Sequence, residues 1–558
     1  LALTAGLTLA GSCGQALPDE GRPAPAGRDA GGAGGANGGA GGANGSGGAA
    51  AEPPEPPADD WRRKTIYFAL ADRFFDGDPS NNALGLAGCF DPAAPLRHHG
   101  GDLAGFAAKL DYLRALGAGA LWSTPLYRQA GPQGDQCGYH GYWADFRDPD
   151  DGAIEPKLGT EADFKALLDA LHGAGIAFLL DVVINHTGRG AHLPKVQRPE
   201  WFNPDFPACQ ALGNDDIFCP LSGLPDFDQR RPDVAAYLNG VTASWLTRFE
   251  VDGVRLDTAK HVDRAYLLDA WEPAARAARP GRPLFLLAEV FDGSGPEAYR
   301  PFLEGGFDSA FNFALRDALL RSFARGESTD AVAASADATQ RAFGAERAQR
   351  LVTFLDNHDV KRFLSETPPG LPAAERARRL HLALAALFTL PGIPQIYAGT
   401  ELGAEGESPE NRRTMPPWAW TPEGRAGEHP GYVGDAQQTF ARVQKLAALR
   451  AANPALFAGA YAELWRPNGA ADLFAFFRGW GRRSVVVVVN NGAAPAGPIA
   501  LPFRANPGVA PADLAALPDG TELVDLLGDG APAALRVEGG TITVALPPKT
   551  VGIYRAPN

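Results

Sequence analysis

GVRLDTAKH, residues 253–261, begins as a half-buried strand: Val254 and Leu256 alternate with Arg255 and Asp257, so one face is apolar and the other carries opposite charges. Lys260 and His261 follow at once. A salt-bridged core strand accounts for such a stretch taken singly. A strand whose C-terminal end carries chemistry accounts for it equally well, and the elements on either side decide between the two.

From Trp61 onward, short apolar runs alternate with amphipathic helical patterns. The runs TIYFAL (65–70), GALWST (119–124) and AFLLDVVI (177–184) precede the quoted stretch. LFLLAEV (284–290), FDSAFNF (307–313), RLVTFLD (350–356) and IPQIYAG (393–399) follow it. Helical patterns such as 160–175 and 232–249 lie between most of them. Eight strands alternating with helices over this length predict an α/β fold, a (β/α)8 barrel. A doubly wound open sheet is the alternative, but no glycine-rich phosphate loop follows the first strand.

Residues 187–230, rich in Pro, Asn and Asp, are too many for one helix and predict a small subdomain inserted after the third strand. The insertion divides the barrel into 61–186 and 231–452. From 453 to 558 the runs DLFAFFRGW (472–480), RSVVVVVNN (483–491), TELVDLL (521–527) and TITVALPPKTVGIYRA (541–556) predict a C-terminal antiparallel β-sandwich.

Residues 1–60 do not read as part of the fold. LALTAGLTLAGSC (1–13) is apolar and uncharged, like a secretory signal, and its LAGSC end resembles a bacterial lipoprotein signal with Cys13 as the lipidated residue. A linker follows, with GGAGGAN at 31–37 and again at 38–44, then the proline-rich 52–60. The expectation is an exported protein, secreted or held at an outer surface or in the periplasm by a lipid anchor. Four further cysteines predict two disulfides: Cys209 with Cys219 in one loop-rich stretch, leaving Cys89 with Cys137. Zinc would want paired CxxC or matching histidine spacing, which the chain lacks. The net charge of −14 argues against nucleic acid as a partner and is compatible with calcium and a neutral substrate. A monomer is expected.

In a (β/α)8 barrel chemistry sits where strands end. The third strand ends with Asp181, Asn185 and His186, the fourth with Arg255 and Asp257, the fifth with Glu289, the seventh with His358 and Asp359. Buried carboxylates without partners cost several kcal/mol, so four polar termini converging on one rim are hard to explain structurally. Three carboxylates suit glycosidic cleavage, in which one attacks the anomeric carbon or activates water and another protonates the leaving oxygen. A neighbouring carboxylate raises the donor's pKa, and Arg255, on the same strand face as Asp257, would keep that aspartate ionised.

The motifs GALWSTP, YHGYW (139–143), DVVINH, LPDFD (224–228), GVRLDTAKH, AEV, FLDNHD and GIPQIYAGTE (392–401) occur in this order, and in them the chain resembles the α-amylase family of glycoside hydrolases, family 13, over roughly residues 61–556. The resemblance implies Asp257 as nucleophile, Glu289 as acid/base and Asp359 as transition-state stabiliser. It implies sugar contacts from His140, Tyr142, Trp143, His186, Arg255, Lys260, His261, His358 and Arg412, with Tyr142 stacking on the ring at the cleavage site. Calcium is the implied cofactor, held by Asn185, Asp226 and the His261 carbonyl. A second site resembles one in cyclodextrin glucanotransferases and draws on Asp76, Asp78, Asn81, Asn82, Gly100 and Asp102. A turn rich in Asp, Gly and Asn is the plain reading of that loop.

The expected activity is retaining hydrolysis of internal α-1,4-glucosidic bonds in starch, glycogen and maltooligosaccharides. Transglycosylation of the cyclodextrin glucanotransferase or maltogenic kind is the alternative. Those enzymes usually carry extra C-terminal domains and an aromatic shortly after the Lys-His pair, where this chain has VDRAY. A non-catalytic carbohydrate-binding surface protein is the remote alternative, since degenerate members should have lost carboxylates that stand here.

Overall fold

The computed structural model describes residues 52–85, 87–145, 153–191, 198–467 and 472–557. The expected signal, Cys13 and the linker up to residue 51 lie outside them. Residues 52–60, expected as linker, are tied down: Glu52 and Glu55 pair with Arg483 at 2.8 and 2.6 Å, and Glu55 also pairs with Arg63 at 2.7 Å.

Eight parallel strands make the barrel: β1 (Ile66–Ala69), β2 (Ala120–Ser123), β3 (Ala177–Val182), β4 (Gly253–Leu256), β5 (Phe285–Ala288), β6 (Ser309–Ala310), β7 (Val352–Phe354) and β8 (Ile393–Tyr397). Their order is β6-β5-β4-β3-β2-β1-β8-β7. A parallel bridge between Phe311 and Val352 joins β6 to β7 and closes the ring, with the Asn312 N–H donating to the Val352 carbonyl at 2.8 Å. All their residues are buried, because side chains fill the barrel on one side and helices cover the other.

The helix Glu161–Gly173 shows how sequence sets that cover. Thr160 and Asp163 form a reciprocal capping box at its start, and Phe164, Leu167, Leu168 and Leu171 bury one face. The sixth strand is far shorter than FDSAFNF suggested. Asn312 accepts from the Leu315 N–H at 3.0 Å and starts the helix Phe313–Leu319, which takes the end of that run out of the sheet.

The C-terminal strands are β9 (Ala460–Trp465), β10 (Leu473–Gly479), β11 (Val485–Asn490), β12 (Ala496–Pro502), β13 (Glu522–Asp525), β14 (Ala534–Glu538), β15 (Thr541–Leu546) and β16 (Thr550–Arg555). They run antiparallel in the order β12-β15-β14-β13-β16-β11-β10-β9 and fold over a core of their own that includes Leu473, Phe477, Val488, Leu501, Val537 and Ile542. The alternate residues Phe474, Phe476, Val485, Val487 and Val489 pack into the barrel's core instead. β10 and β11 are therefore buried on both faces, which is why they read as unbroken apolar runs. TITVALPPKTVGIYRA, read as one stretch, is two strands, since Pro547 and Pro548 have no N–H for a ladder. Both expected disulfides form, Cys89–Cys137 and Cys209–Cys219.

Candidate active site

The ends of β3, β4 and β5 lie side by side. Asp181 stands opposite Arg255 in the register, and the ladder runs past the strands: the Asp257 N–H donates to Val182 O at 2.9 Å and the Glu289 N–H to Leu256 O at 3.0 Å. Backbone pairing thus places Asp257 and Glu289 next to each other on the rim. Thr258 then turns left-handed (φ 49°), a costly conformation for a β-branched residue, and its N–H donates to Glu289 Oε2 at 2.9 Å.

One guanidinium holds this group together. Arg255 is 0% exposed. Its Nη1 donates to Asp181 Oδ1 at 2.9 Å and to Asp257 Oδ1 at 2.7 Å, and its Nη2 lies 2.6 Å from Glu289 Oε1. Burial opposes the charge on Arg255, but Asp181 and Glu289 outweigh it and hold the group well above the usual arginine range. Burial pushes Glu289 up to about 8, with Asp257 and Asp359 adding repulsion against the pull of Arg255. Burial likewise raises Asp359, although Arg412 Nη2 donates to its Oδ1 at 3.1 Å. A buried carboxyl that keeps its proton beside one held by a guanidinium is an acid paired with a nucleophile.

These residues open on a cleft of about 480 Å³. It is lined by Asp257, Glu289, Asp359, His140, Tyr142, Trp143, His186, Lys260, His261, His358 and Arg412, all expected from the sequence; Arg255 lies behind the wall. Burial depresses all three histidines His140, His186 and His358, so they face the cleft neutral. His140 Nδ1 accepts the Tyr142 N–H at 3.1 Å, which leaves its Nε2 as the donor. His358 Nδ1 is buried with no hydrogen-bond partner in the described structure. Tyr142 lies parallel to the His358 ring at 5.1 Å, its hydroxyl donating to Asp181.

The sequence reading placed Asp181 on the rim without a role, and it did not assign Leu221, Ser222, Leu224 or Phe291 a place at the site. Leu221, Ser222 and Leu224 reach the cleft from the inserted subdomain, and Phe291, 49% exposed, stands beside Glu289. Asp216 of the same subdomain lies 3.4 Å from Lys260 Nζ, and its carbonyl accepts from His261 Nδ1 at 2.6 Å.

Two oxygen-rich places correspond to the expected metal positions. Among the described residues no three His, Cys, Asp or Glu side chains cluster as ligands, so amide and main-chain oxygens have to contribute. Asn185 Oδ1 is buried without a hydrogen-bond partner, and an antiparallel bridge joins its neighbour His186 to Asp226. In the second place Asp76 Oδ1, Asn81 Oδ1 and Asn82 Oδ1 are all buried and unpartnered. Gly100 closes over them, where a Cβ would meet Asn82 Oδ1 at 2.5 Å. Asp102 accepts from Gly77, Asp78, Gly105 and Asn81 as the cap of the helix Leu103–Ala108, and Asp78 is exposed and holds Ser80.

The model of the alpha-amylase catalytic domain matches residues 68–203 and 217–425, more than half of the chain. The chain belongs to the alpha-amylase family. It is a family 13 glycoside hydrolase, and its relatives carry several activities. The beta/alpha-amylase of Paenibacillus polymyxa is 28% identical over 515 residues, covering 89% of this chain and 38% of that protein's length. The cyclomaltodextrin glucanotransferase of Klebsiella oxytoca is 29% identical over 493 residues, covering 78% of this chain and 71% of that protein. The crystal structure of an Anoxybacillus alpha-amylase matches with a TM-score of 0.73 at 29% identity, covering 89% of this chain and 99% of that one.

Proposed function

We propose that this family member is an α-amylase that cleaves internal α-1,4-glucosidic bonds of starch, glycogen and maltooligosaccharides with retention of configuration. The pairing of a protonated Glu289 with an Arg255-held Asp257 carries this reading. Asp257 attacks the anomeric carbon while Glu289 protonates the leaving oxygen; water, deprotonated by Glu289, then releases the sugar. Asp359, held by Arg412 and His358, faces the positive charge that develops on the ring.

Soluble starch should yield linear maltooligosaccharides, released initially as the α-anomer by NMR. An initial β-anomer would overturn the mechanism. A specific observation favours a second reading, transglycosylation: Phe291 offers an apolar face beside the proton donor, where a sugar acceptor would displace water. Cyclic glucans as the main early product would decide for it.

Calcium is part of the proposal. Asn185 with Asp226 and the ring Asp76, Asn81 and Asn82 present hard oxygens, and a bound ion would stabilise the fold rather than enter the chemistry. Chelation should lower the melting temperature, and added calcium should restore it; at a hundredfold excess over Kd the linkage is about 2.7 kcal/mol. An unchanged melting curve with no calcium by elemental analysis would remove the claim. Two disulfides support export to an oxidising compartment, with Cys13 as the lipid-bearing residue of the outside segment.

A further inference from the structure

Arg255 carries one positive charge and meets three carboxylates; Asp181 accepts two hydrogen bonds from it, Asp257 one and Glu289 none. Asp181 Oδ1 and Oδ2 accept from Arg255 Nη1 at 2.9 and 3.1 Å. Oδ2 also accepts from Trp122 Nε1 at 3.0 Å and from the Tyr142 hydroxyl at 2.8 Å. Three side chains thus donate to this carboxylate, and it is 1% exposed. Glu289 is met differently: Arg255 Nη2 lies 2.6 Å from Oε1 but off the line of a hydrogen bond. Asp181 does not line the cleft, so burying a carboxylate there needs another explanation than binding.

We propose that Asp181 is a positioning residue for the reaction: it draws the guanidinium of Arg255 to itself from behind the cleft, so that Glu289 meets the substrate as an acid and not as the partner of a free arginine. The inference rests on Glu289 being the proton donor.

The surrounding charges set the sign. Glu289 is faced by Arg255 and Asp257 from β4 and by Asp359 from beyond β7. Asp181 is faced by Arg255 and Asp257 from β4, by Tyr142, and by Tyr127 from beyond β2. Arg255 is faced by Asp181, Glu289, Asp257 and Tyr142, and its charge reaches His358 and Asp359. Neutralising Asp181 leaves the arginine with Asp257 and Glu289 only. Both the released guanidinium and the lost negative charge then favour the ionised form of Glu289. The enzyme loses its acid at a lower pH.

The test is the pH profile of kcat/KM on soluble starch for the full chain and for Asp181→Asn. The alkaline limb should move toward lower pH by about one unit, a tenfold change in proton affinity. A variant whose activity falls equally at every pH, with the limb unmoved, overturns the inference and leaves Asp181 a structural residue. If Asp181→Asn does not fold by circular dichroism, Trp122→Phe decides, since it removes one donor from Asp181; a smaller shift in the same direction supports the inference and an unmoved limb overturns it. An α-maltosyl fluoride, whose leaving group needs no proton, separates the two levels. With it the alkaline limb of the unaltered enzyme should vanish. A limb that persists sinks the assignment of Glu289 as donor; a limb that vanishes on the fluoride but stays fixed on starch in Asp181→Asn sinks only the role of Asp181.

Discussion

Arginine is buried at both ends of this barrel, and the two ends use it in opposite ways. At the rim, Arg255 has three carboxylates, and two aromatic rings lie within cation–π range, Trp122 at 5.1 Å and Tyr142 at 5.6 Å. At the far end, where the strands begin, Arg450 and Arg478 are 1% and 0% exposed and, among the described residues, meet no carboxylate. Arg450 donates to the carbonyls of Phe388 at 3.0 Å, Leu456 at 2.8 Å and Arg62 at 3.0 Å; Arg478 donates to Thr389 at 2.7 Å and Gly459 at 3.2 Å. Phe388 and Thr389 end the helix Ala373–Thr389, whose C-terminal carbonyls carry the negative end of the macrodipole. Burial presses Arg478 down to about 9 and Arg450 downward too, whereas carboxylates hold Arg255 up. A guanidinium among carboxylates sets their proton affinities, and one among carbonyls ties segments together: here helix, loop and the C-terminal sheet.

That contrast can be broken experimentally. The largest effects belong to the rim. Asp257→Asn removes the nucleophile and should cost several orders of magnitude in kcat, while Glu289→Gln should cost about 10²–10⁴-fold on starch. Neither should move the melting temperature by more than a few degrees, because the amides keep the shape and Arg255 keeps its other partners. A purified Asp257→Asn enzyme with near-normal turnover would end the assignment.

The junction should answer the other way round. Arg478→Met leaves the Thr389 carbonyl without its donor, while the Gly459 carbonyl keeps Gln349 Nε2 at 3.0 Å, and an unsatisfied buried group costs about 1–3 kcal/mol. Urea unfolding should show a loss of that order, with kcat unchanged for the folded fraction. A Met variant as stable as the parent would mean that the guanidinium adds nothing beyond its packing.

The smallest effect sharpens the distinction. With Glu289 raised to about 8, kcat/KM should fall as pH rises through that value, since the donor works only when protonated. Between the ordinary carboxylate range and about 8 the folded state keeps a proton that the unfolded chain has lost, so this residue's contribution to stability also falls as pH rises through that window. Arg478→Met should leave the alkaline limb where it is. A shift there would show that the junction reaches the site electrostatically.

Much of the site was legible because its chemistry constrains residue type at strand ends. Asp257 and Glu289 lie at the ends of apolar runs and Asp359 three residues beyond one, and a run that leads into a carboxylate stands out in any strand pattern. Leu221, Ser222 and Phe291 were not legible, since nothing local marks an ordinary residue that borders a cleft. The same holds for the sixth strand: FDSAFNF has the pattern of a strand, and only the competition from the Asn312 cap shortens it.

The sequence by itself determined the alternation of strands and helices, the two disulfide pairs and the carboxylates at the strand ends, because each depends on residue type and spacing along the chain. Tertiary structure decided which charges share a partner. Asp181 and Arg255 are 74 residues apart, and Arg478 lies 89 residues from the Thr389 carbonyl it holds. Coulomb energy depends on distance through space and on burial, and neither is set by position in the chain. One residue type therefore became an electrostatic regulator at one end of the barrel and a clamp at the other.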